Sequence, residues 1–221
     1  MFSLLSVLFL SFTQINYGFN QLSRRSFLVS SMNLNPLYKI SLLNVSEDTG
    51  ESNGLINCIK NHIYFSGPLT EESIFAITSN VIAMQYRDNN EINLHIKSQG
   101  GSLLPTLGLV DTIRTSDIPI NTYIDGYVAS AATLLSIVGS NRLINKHGVM
   151  LIHQLKMGAD YSKYSEIKDY AKNADTLMDI IKDLYLEYTN INPNNLEYLL
   201  AHDLWLNSTT CKEYGLVDII I

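Results

Sequence analysis

Strand-like and helix-like segments alternate from residue 63 to the end of the chain, and this alternation most constrains the fold. The β-rich runs IYFSG (63–67) and INLHIKS (92–98) have the apolar pattern of strands. Between them, LTEESIFAITSNVIAMQYRD carries apolar residues at helical spacing behind Thr70, a residue type that caps helices. Because alternating strands and helices form sheets with right-handed crossovers, the chain is predicted to be an α/β protein.

The alternation continues to the C-terminus. QGGSLLPTLGLVDTIRTS predicts a glycine turn and a helix, INTYIDG a strand, and VASAATLLSIVGS another helix. NRLINKHGVMLIHQ predicts a strand pair with its turn near 146–148. A long helix is predicted over about 161–189, with an apolar stripe that includes Ile167, Ile181 and Tyr185. NPNNLEYLLAHD predicts a turn and a short helix, and LWLNSTTCKEYGLVDII a strand–turn–helix–strand unit.

The composition of the chain limits the classes of function that it can have. The 221 residues are 46% hydrophobic and 16% charged, as expected of a globular protein with one substantial core. The net charge is −6 and no basic run occurs, so no nucleic-acid partner is expected. Cys58 and Cys211 form no CxxC pair and are interpreted as reduced core thiols, with a disulfide as the alternative. The five histidines are scattered, so no metal is expected.

The first 46 residues differ from the rest. MFSLLSVLFLSF is apolar but too short to span a bilayer, and it is followed by a serine-bearing stretch with Arg24, Arg25 and Lys39. No acidic residue precedes Glu47. This pattern predicts a targeting leader over 1–46 and a body over 47–221, with no membrane span in the mature form. A docked or disordered N-terminal arm is the alternative.

Ser130 is the candidate nucleophile. In GYVASAATLL its hydroxyl lies among small apolar residues, after a strand and near a helix start, where backbone N–H groups favour negative charge. The same position suits a helix cap, and the spacing leaves both interpretations open. His153 ends an apolar strand and either faces a cleft or is a satisfied strand-end histidine. Gly100 and Gly101 either let the backbone approach a ligand or form an ordinary turn.

In combination and in chain order, these segments resemble the proteolytic subunits of Clp proteases, the ClpP family. The resemblance rests on the Gly–Gly after a strand, on GYVASAA, on VMLIHQ and on DLWLNSTTCKEYGLVD, and it covers about residues 60–221. It implies a ClpP/crotonase-type ββα spiral with a protruding long handle helix. It also implies a serine endopeptidase that hydrolyses unfolded proteins.

The resemblance assigns the site residues position by position. The nucleophile falls on Ser130, the general base on His153, and the carboxylate that orients the imidazole on Asp203. The backbone N–H groups of Gly100 and Ala131 are the implied oxyanion donors. Without the resemblance, nothing distinguishes Asp203 from the other acidic residues.

Four positions depart from the family pattern. Gln99 and Leu155 stand where the family usually has proline, and Ala131 where it usually has methionine. Thr209 and Thr210 occupy part of a usual P-E-A segment. None of these changes removes a triad group, and inactive ClpP-like subunits typically lose triad members. The retained triad therefore favours an active subunit.

The resemblance also implies partners. Residues 156–189 would form the handle through which two seven-membered rings stack, built of this chain alone or with sister subunits. Residues 100–104 and 154–158 would flank a peptide bound as an added strand. A AAA+ ATPase would deliver unfolded chains and consume the ATP, so no cofactor is expected here. The leader favours a plastid, with the mitochondrial matrix or cytosol as alternatives.

Two other functions are compatible with the same fold. A non-catalytic ring subunit would shape the assembly without turnover. An acyl-CoA hydratase or isomerase of the crotonase type would use backbone oxyanion donors to hold a thioester enolate and would need no triad.

Overall fold

The computed structural model describes residues 54–87, 90–158 and 163–221, which form eight strands and six helices. The predicted leader over 1–46 and its boundary with the body lie outside the described residues.

Strands and helices alternate as the sequence predicts. The strands are β1 (Leu55–Ile59), β2 (His62–Ser66), β3 (Ile92–Ser98), β4 (Ile120–Ala129), β5 (Arg142–Ile144), β6 (Val149–Ile152), β7 (Leu204–Asn207) and β8 (Ile219–Ile220). The helices are α1 (Glu71–Gln85), α2 (Leu103–Arg114), α3 (Ala131–Ile137), α4 (Tyr164–Tyr188), α5 (Pro193–Leu200) and α6 (Ser208–Glu213).

Parallel strands β2, β3 and β4 form the centre of one sheet, with α1 and α2 as the crossovers between them. The order continues through β5 to β8, both parallel to their neighbours, and β1 adds an antiparallel edge to β2. The predicted α/β class is confirmed. The sequence does not predict β1, because apolar residues lie on both of its faces. Ile56 and Cys58 pack against the core, whereas Leu55 and Ile59 are exposed, so no alternation marks the strand.

Helix α1 begins where its cap predicts. The N–H of Ser73 donates to Thr70 Oγ1 at 3.2 Å, and the N–H of Thr70 donates to Ser73 Oγ at 2.9 Å, which makes a reciprocal capping box. Behind this cap the side chains of Ile74 and Ile77 are buried against the sheet. Burial of each such side chain stabilises the fold by about 1.5–3 kcal/mol.

Strand β4 forks the sheet because it pairs with two strands along its length. Residues 122–124 pair with β5, and residues 127–129 pair with β6. Between the two segments lies Gly126 with φ +94°, a conformation that glycine adopts without strain. The register with β3 also shifts here. The end of β4 therefore leaves β5 and lies beside β6.

Two local predictions are wrong. The segments that became β5 and β6 do not pair with each other, because both are parallel to β4, and β6 also pairs antiparallel with β7. The helix predicted from Val128 begins at Ala131, because pairing with β6 holds Val128 and Ala129 in the strand.

The main core lies between the sheet and helices α1, α2 and α3, which contact one another in sequence. Ile92, Leu94 and Ile96 of β3 have no exposed surface. This packing fixes β3 and β4, whose carboxyl ends carry the glycine loop and Ser130.

Helix α4 has 25 residues and is about 37 Å long at 1.5 Å per residue. Only its C-terminal part is buried, at Ile181, Leu184 and Tyr185. Tyr164 and Ile167 at the other end are 74% and 52% exposed. The predicted long helix is confirmed, but half of its apolar stripe has no cover within the described residues.

Candidate active site

Ser130 lies in the turn between β4, which ends at Ala129, and α3, which begins at Ala131. Its φ is 55° and its ψ is −133°, and among the described residues only Lys60 is another non-glycine with positive φ. Such a conformation costs on the order of 1–3 kcal/mol and persists only where the surroundings hold it. The Ser130 hydroxyl makes no capping hydrogen bond, so the helix-cap interpretation is wrong. A strained strand-to-helix turn is the backbone setting of a nucleophilic serine.

The glycine loop after β3 approaches this turn. Gly100 has φ +90°, and a Cβ at this position would lie 2.7 Å from Ser130 Cβ and 2.6 Å from the Ala129 carbonyl oxygen. Only glycine fits here without displacing the serine turn. The two predicted oxyanion donors thus flank Ser130, but they differ in state. The Gly100 N–H donates to the buried Ser98 hydroxyl at 3.0 Å, whereas the Ala131 N–H, the first of α3, has no acceptor within its helix.

Sheet pairing brings His153 beside the serine. Ala129 pairs with Leu151, and the N–H of Ser130 donates to the Leu151 carbonyl at 2.9 Å. His153 follows β6 directly, and its Nδ1 lies 2.6 Å from the Gln154 carbonyl oxygen. A carbonyl can only accept, so in the neutral ring Nδ1 carries the proton and Nε2 is the basic nitrogen.

Asp203 immediately precedes β7, the antiparallel partner of β6. The last recorded pair is Ile152 with Leu204, so the same register extended by one residue places Asp203 opposite His153. Its carboxylate, however, lies 3.6 Å from the Lys156 ammonium group, and both side chains are mostly exposed. The fold brings together the three backbone positions, but in the described residues no hydrogen bond joins Ser130, His153 and Asp203 side chains.

Ser130 and His153 share one cleft of about 230 Å³. Its walls include Gly101 and Leu103 from one predicted peptide-flanking segment and residues 154–156 from the other. The rest of the cleft is lined by the side chains of Leu134, Ile181 and Tyr185, which are mainly apolar. A larger, more open cavity of about 510 Å³ near the end of α2 has no histidine in its lining, so its size does not make it the reactive site.

Several groups at the site were not predicted. Ser98 engages the Gly100 N–H, the Gln154 carbonyl engages His153, and Lys156 pairs with Asp203. Residue type and spacing do not predict these contacts, because each of them depends on how the interacting groups are oriented in the folded chain. Tyr185 is recognisable from the sequence only as part of an apolar stripe, whereas its hydroxyl contacts Thr133 of α3.

A largely parallel sheet, with a serine at a strained strand-to-helix turn and a histidine at the neighbouring strand end, fits the class of serine hydrolases. Residues 52–221 match the family described as Clp protease, and the chain belongs to that family. It is thus a Clp-type proteolytic subunit and a serine endopeptidase, as predicted. This membership does not support the acyl-CoA hydratase alternative.

Similar proteins include several proteolytic subunits of ATP-dependent Clp proteases. The chain is 26% identical over 163 residues to the ATP-dependent Clp protease proteolytic subunit 1 of Chlamydia pneumoniae, covering 72% of this chain and 85% of the relative. It is 27% identical over 161 residues to the ATP-dependent Clp protease proteolytic subunit of Pleurastrum terricola, covering 72% and 82%. For the corresponding subunit 1 of Cutibacterium acnes the identity is 27% over 163 residues, covering 72% and 76%.

Other predictions concern groups away from the site. Cys58 and Cys211 are free thiols, and burial raises the pKa of Cys211 to about 12. Within 54–87, 90–158 and 163–221, no three His, Cys, Asp or Glu residues are grouped so that they could hold a metal ion. None of the helices in that part of the chain is both long and apolar enough to cross a bilayer.

Proposed function

We propose that Ser130, His153 and Asp203 are the catalytic triad of this endopeptidase, with the backbone N–H groups of Gly100 and Ala131 as oxyanion donors. The observation that carries the proposal is the strained Ser130 turn, which shares one cleft with the strand-end His153.

In this mechanism Ser130 Oγ attacks the carbonyl carbon of a peptide bond while His153 Nε2 accepts the hydroxyl proton. The oxyanion donors stabilise the negative charge on the carbonyl oxygen. The imidazolium then gives its proton to the leaving amine, and an acyl–serine ester remains. Water, deprotonated by His153, hydrolyses this ester and frees Ser130. The triad uses no bound metal or cofactor.

Catalysis requires local rearrangements of the described geometry. The His153 Nδ1–H has to leave the Gln154 carbonyl and donate to Asp203, which has to leave Lys156. The Gly100 N–H has to turn away from the Ser98 hydroxyl. An exposed ion pair stabilises a protein by only about 0–1 kcal/mol. Breaking the Lys156–Asp203 pair therefore costs little free energy. The β6–β7 register, which extended by one residue sets Asp203 opposite His153, supports the choice of this carboxylate.

The substrate would lie as an added strand between residues 100–104 and 154–158. Both segments line the cleft, and its apolar walls suit an apolar side chain next to the cleaved bond. In this mode of binding the enzyme recognises the peptide through main-chain hydrogen bonds, which suits an enzyme that accepts many unfolded sequences.

Stacked seven-membered rings, made of this chain alone or with sister subunits, are proposed as the assembly, with α4 between the rings. A AAA+ ATPase would deliver unfolded proteins and consume the ATP. The exposed apolar half of α4 supports the ring contact, and the names of the relatives support ATP dependence.

Residues 1–46 are proposed as a leader for a plastid, with the mitochondrial matrix or cytosol as alternatives. The support is the apolar segment followed by a basic stretch without acids. Imaging residues 1–46 fused to a fluorescent protein tests the proposal, and a diffuse cytosolic distribution would contradict it.

Replacement of Ser130 by alanine tests the triad directly. We expect Ser130→Ala to abolish cleavage of a fluorogenic peptide and labelling by a fluorophosphonate, with the assembly unchanged in size-exclusion chromatography. Ser140→Ala, an exposed serine outside the cleft, is the matched control and should keep both properties. Retained labelling of the Ser130→Ala protein would exclude Ser130 as the nucleophile.

A further inference from the structure

The carbonyl oxygen of Ser130 accepts two hydrogen bonds from Thr133, whose hydroxyl group is in contact with the buried hydroxyl of Tyr185. Thr133 Oγ1 donates to this oxygen at 2.5 Å, and the Thr133 N–H donates to it at 3.0 Å. The Tyr185 hydroxyl in turn contacts Thr133 Oγ1. A carbonyl oxygen can only accept, so the Thr133 hydroxyl donates its single proton to the Ser130 carbonyl. The Tyr185 hydroxyl must therefore be the donor in its contact with Thr133 Oγ1. Burial raises the pKa of Tyr185, so its hydroxyl remains a protonated donor.

The held oxygen belongs to the same peptide group as a proposed oxyanion donor. The Ser130 carbonyl and the Ala131 N–H form one planar trans unit, so they point in opposite directions. A fixed orientation of the oxygen toward Thr133 therefore also fixes the direction of the N–H. On the other side of Ser130, its N–H donates a hydrogen bond to the Leu151 carbonyl and fixes the preceding peptide group.

We propose that Thr133 and Tyr185 are positioning residues that orient the Ser130–Ala131 peptide group and thereby aim the Ala131 N–H at the reacting carbonyl oxygen. The inference rests on the proposed function of Ser130. Thr133 is 0% and Tyr185 2% exposed, so neither hydroxyl has water as an alternative partner. Since Tyr185 belongs to α4, the contact also connects the long helix to the Ser130–Ala131 peptide group.

Four variants of the full-length assembled protein test the inference. Thr133→Val removes the hydroxyl at nearly constant volume, and Thr133→Ser keeps it. Tyr185→Phe removes the second hydroxyl, and the double variant Thr133→Val/Tyr185→Phe removes both. Cleavage of a fluorogenic peptide, affinity for a peptide boronate and thermal unfolding are measured for each. The boronate is used because its adduct with serine is tetrahedral and requires a formed oxyanion site.

We expect Thr133→Val to lower kcat and boronate affinity about tenfold with KM changed less than twofold, a smaller effect than the loss of a whole oxyanion donor. Tyr185→Phe should lower kcat about threefold. Thr133→Ser keeps the hydroxyl and should have a kcat close to that of the wild type. Thr133→Val leaves the Tyr185 hydroxyl buried without an acceptor, so its Tm should fall. The double variant should regain Tm and keep the low kcat.

A kcat that follows Tm across the four proteins, or an unchanged kcat in Thr133→Val, would overturn the inference and show that the hydroxyls only fill the core. Fluorophosphonate labelling of the wild-type protein separates this result from failure of the proposed function. If wild-type Ser130 is labelled and Thr133→Val keeps its kcat, only the inference fails. If wild-type Ser130 is not labelled, the triad fails and the inference fails with it.

Discussion

At the scale of single residues, the site depends on two backbone conformations that few residue types tolerate. Ser130 holds a positive φ without being glycine, and Gly100 holds φ +90° against it. The close approach of Gly100 to Ala129 and Ser130 leaves no volume for a side chain. The serine strain and the glycine contact are therefore parts of one local arrangement, in which the loop after β3 supports the turn after β4.

A methyl group at Gly100 should disrupt this arrangement. We expect Gly100→Ala to lower kcat/KM at least a hundredfold, because the new Cβ would meet the Ala129 oxygen at 2.6 Å and displace an oxyanion donor. Peptide cleavage and urea unfolding measure the two effects. Gly108→Ala is the matched control, because a Cβ at this exposed position of α2 would have no atom within 4 Å. It should keep activity and gain about 0.5–1 kcal/mol of stability. Equal activity of the two variants would contradict the prediction.

At the scale of elements, Arg142 joins parts of the chain that are distant in sequence. From β5 its guanidinium binds Asp218 through Nε at 2.9 Å and Nη2 at 2.5 Å. Its Nη1 also donates to the carbonyls of Tyr188, at the end of α4, and of Gly215. One side chain thus fixes β5, the segment before β8 and the end of the long helix.

This contact should make stability depend on pH. Hydrogen bonds from Arg142 hold the pKa of Asp218 below its ordinary value. The unfolded chain therefore binds the proton more readily, and the contribution is complete above about pH 4 and is lost as pH falls through the lowered pKa. We expect Asp218→Asn to lower the free energy of unfolding by about 1–2 kcal/mol at pH 7, and the difference from wild type to shrink toward pH 3.

Urea unfolding at several pH values measures this difference. Asp111→Asn is the control, because Asp111 pairs with Arg114 on the exposed surface of α2 and should change stability by less than about 1 kcal/mol. A constant difference between Asp218→Asn and wild type from pH 7 to pH 3 would contradict the assigned cause.

At the scale of the whole molecule, the prominent feature is an amphipathic helix that its own chain covers at one end only. Ile181, Leu184 and Tyr185 pack on the body, whereas Tyr164, Ile167 and Tyr170 are 74%, 52% and 42% exposed. Exposed apolar side chains in a row along one helix commonly mark a contact with another chain. A second ring of the same family assembly is the proposed partner.

A charge within this row should weaken the assembly. We expect Ile167→Asp to shift the protein to half its assembled mass or less, since a carboxylate would be buried in an apolar contact. Thr176→Asp introduces the same charge on the other side of α4 and is the control. Mass photometry at equal concentrations compares them. Identical mass distributions for the two variants would exclude this row as the ring contact.

The periodicity of the sequence determined the main elements of the fold. Strand β3 has the predicted bounds, and Thr70 caps α1 as predicted. These features depend on contacts within a few residues or on one buried face, so they leave a pattern in the chain. The hairpin predicted for β5 and β6 was wrong because strand partners are chosen across the sheet, where β4 offers each segment a parallel edge.

The sequence by itself thus determined an α/β chain, its family resemblance and the candidates Ser130 and His153. Only the tertiary structure decided that Ser130 is strained rather than a cap, that register places Asp203 opposite His153, and that Lys156 holds the carboxylate. Local propensity acts between neighbours along the chain and is written in residue order. The geometry of a site arises between residues brought together from distant strands, and it is set by packing and hydrogen bonds that form only when the whole sheet is in place.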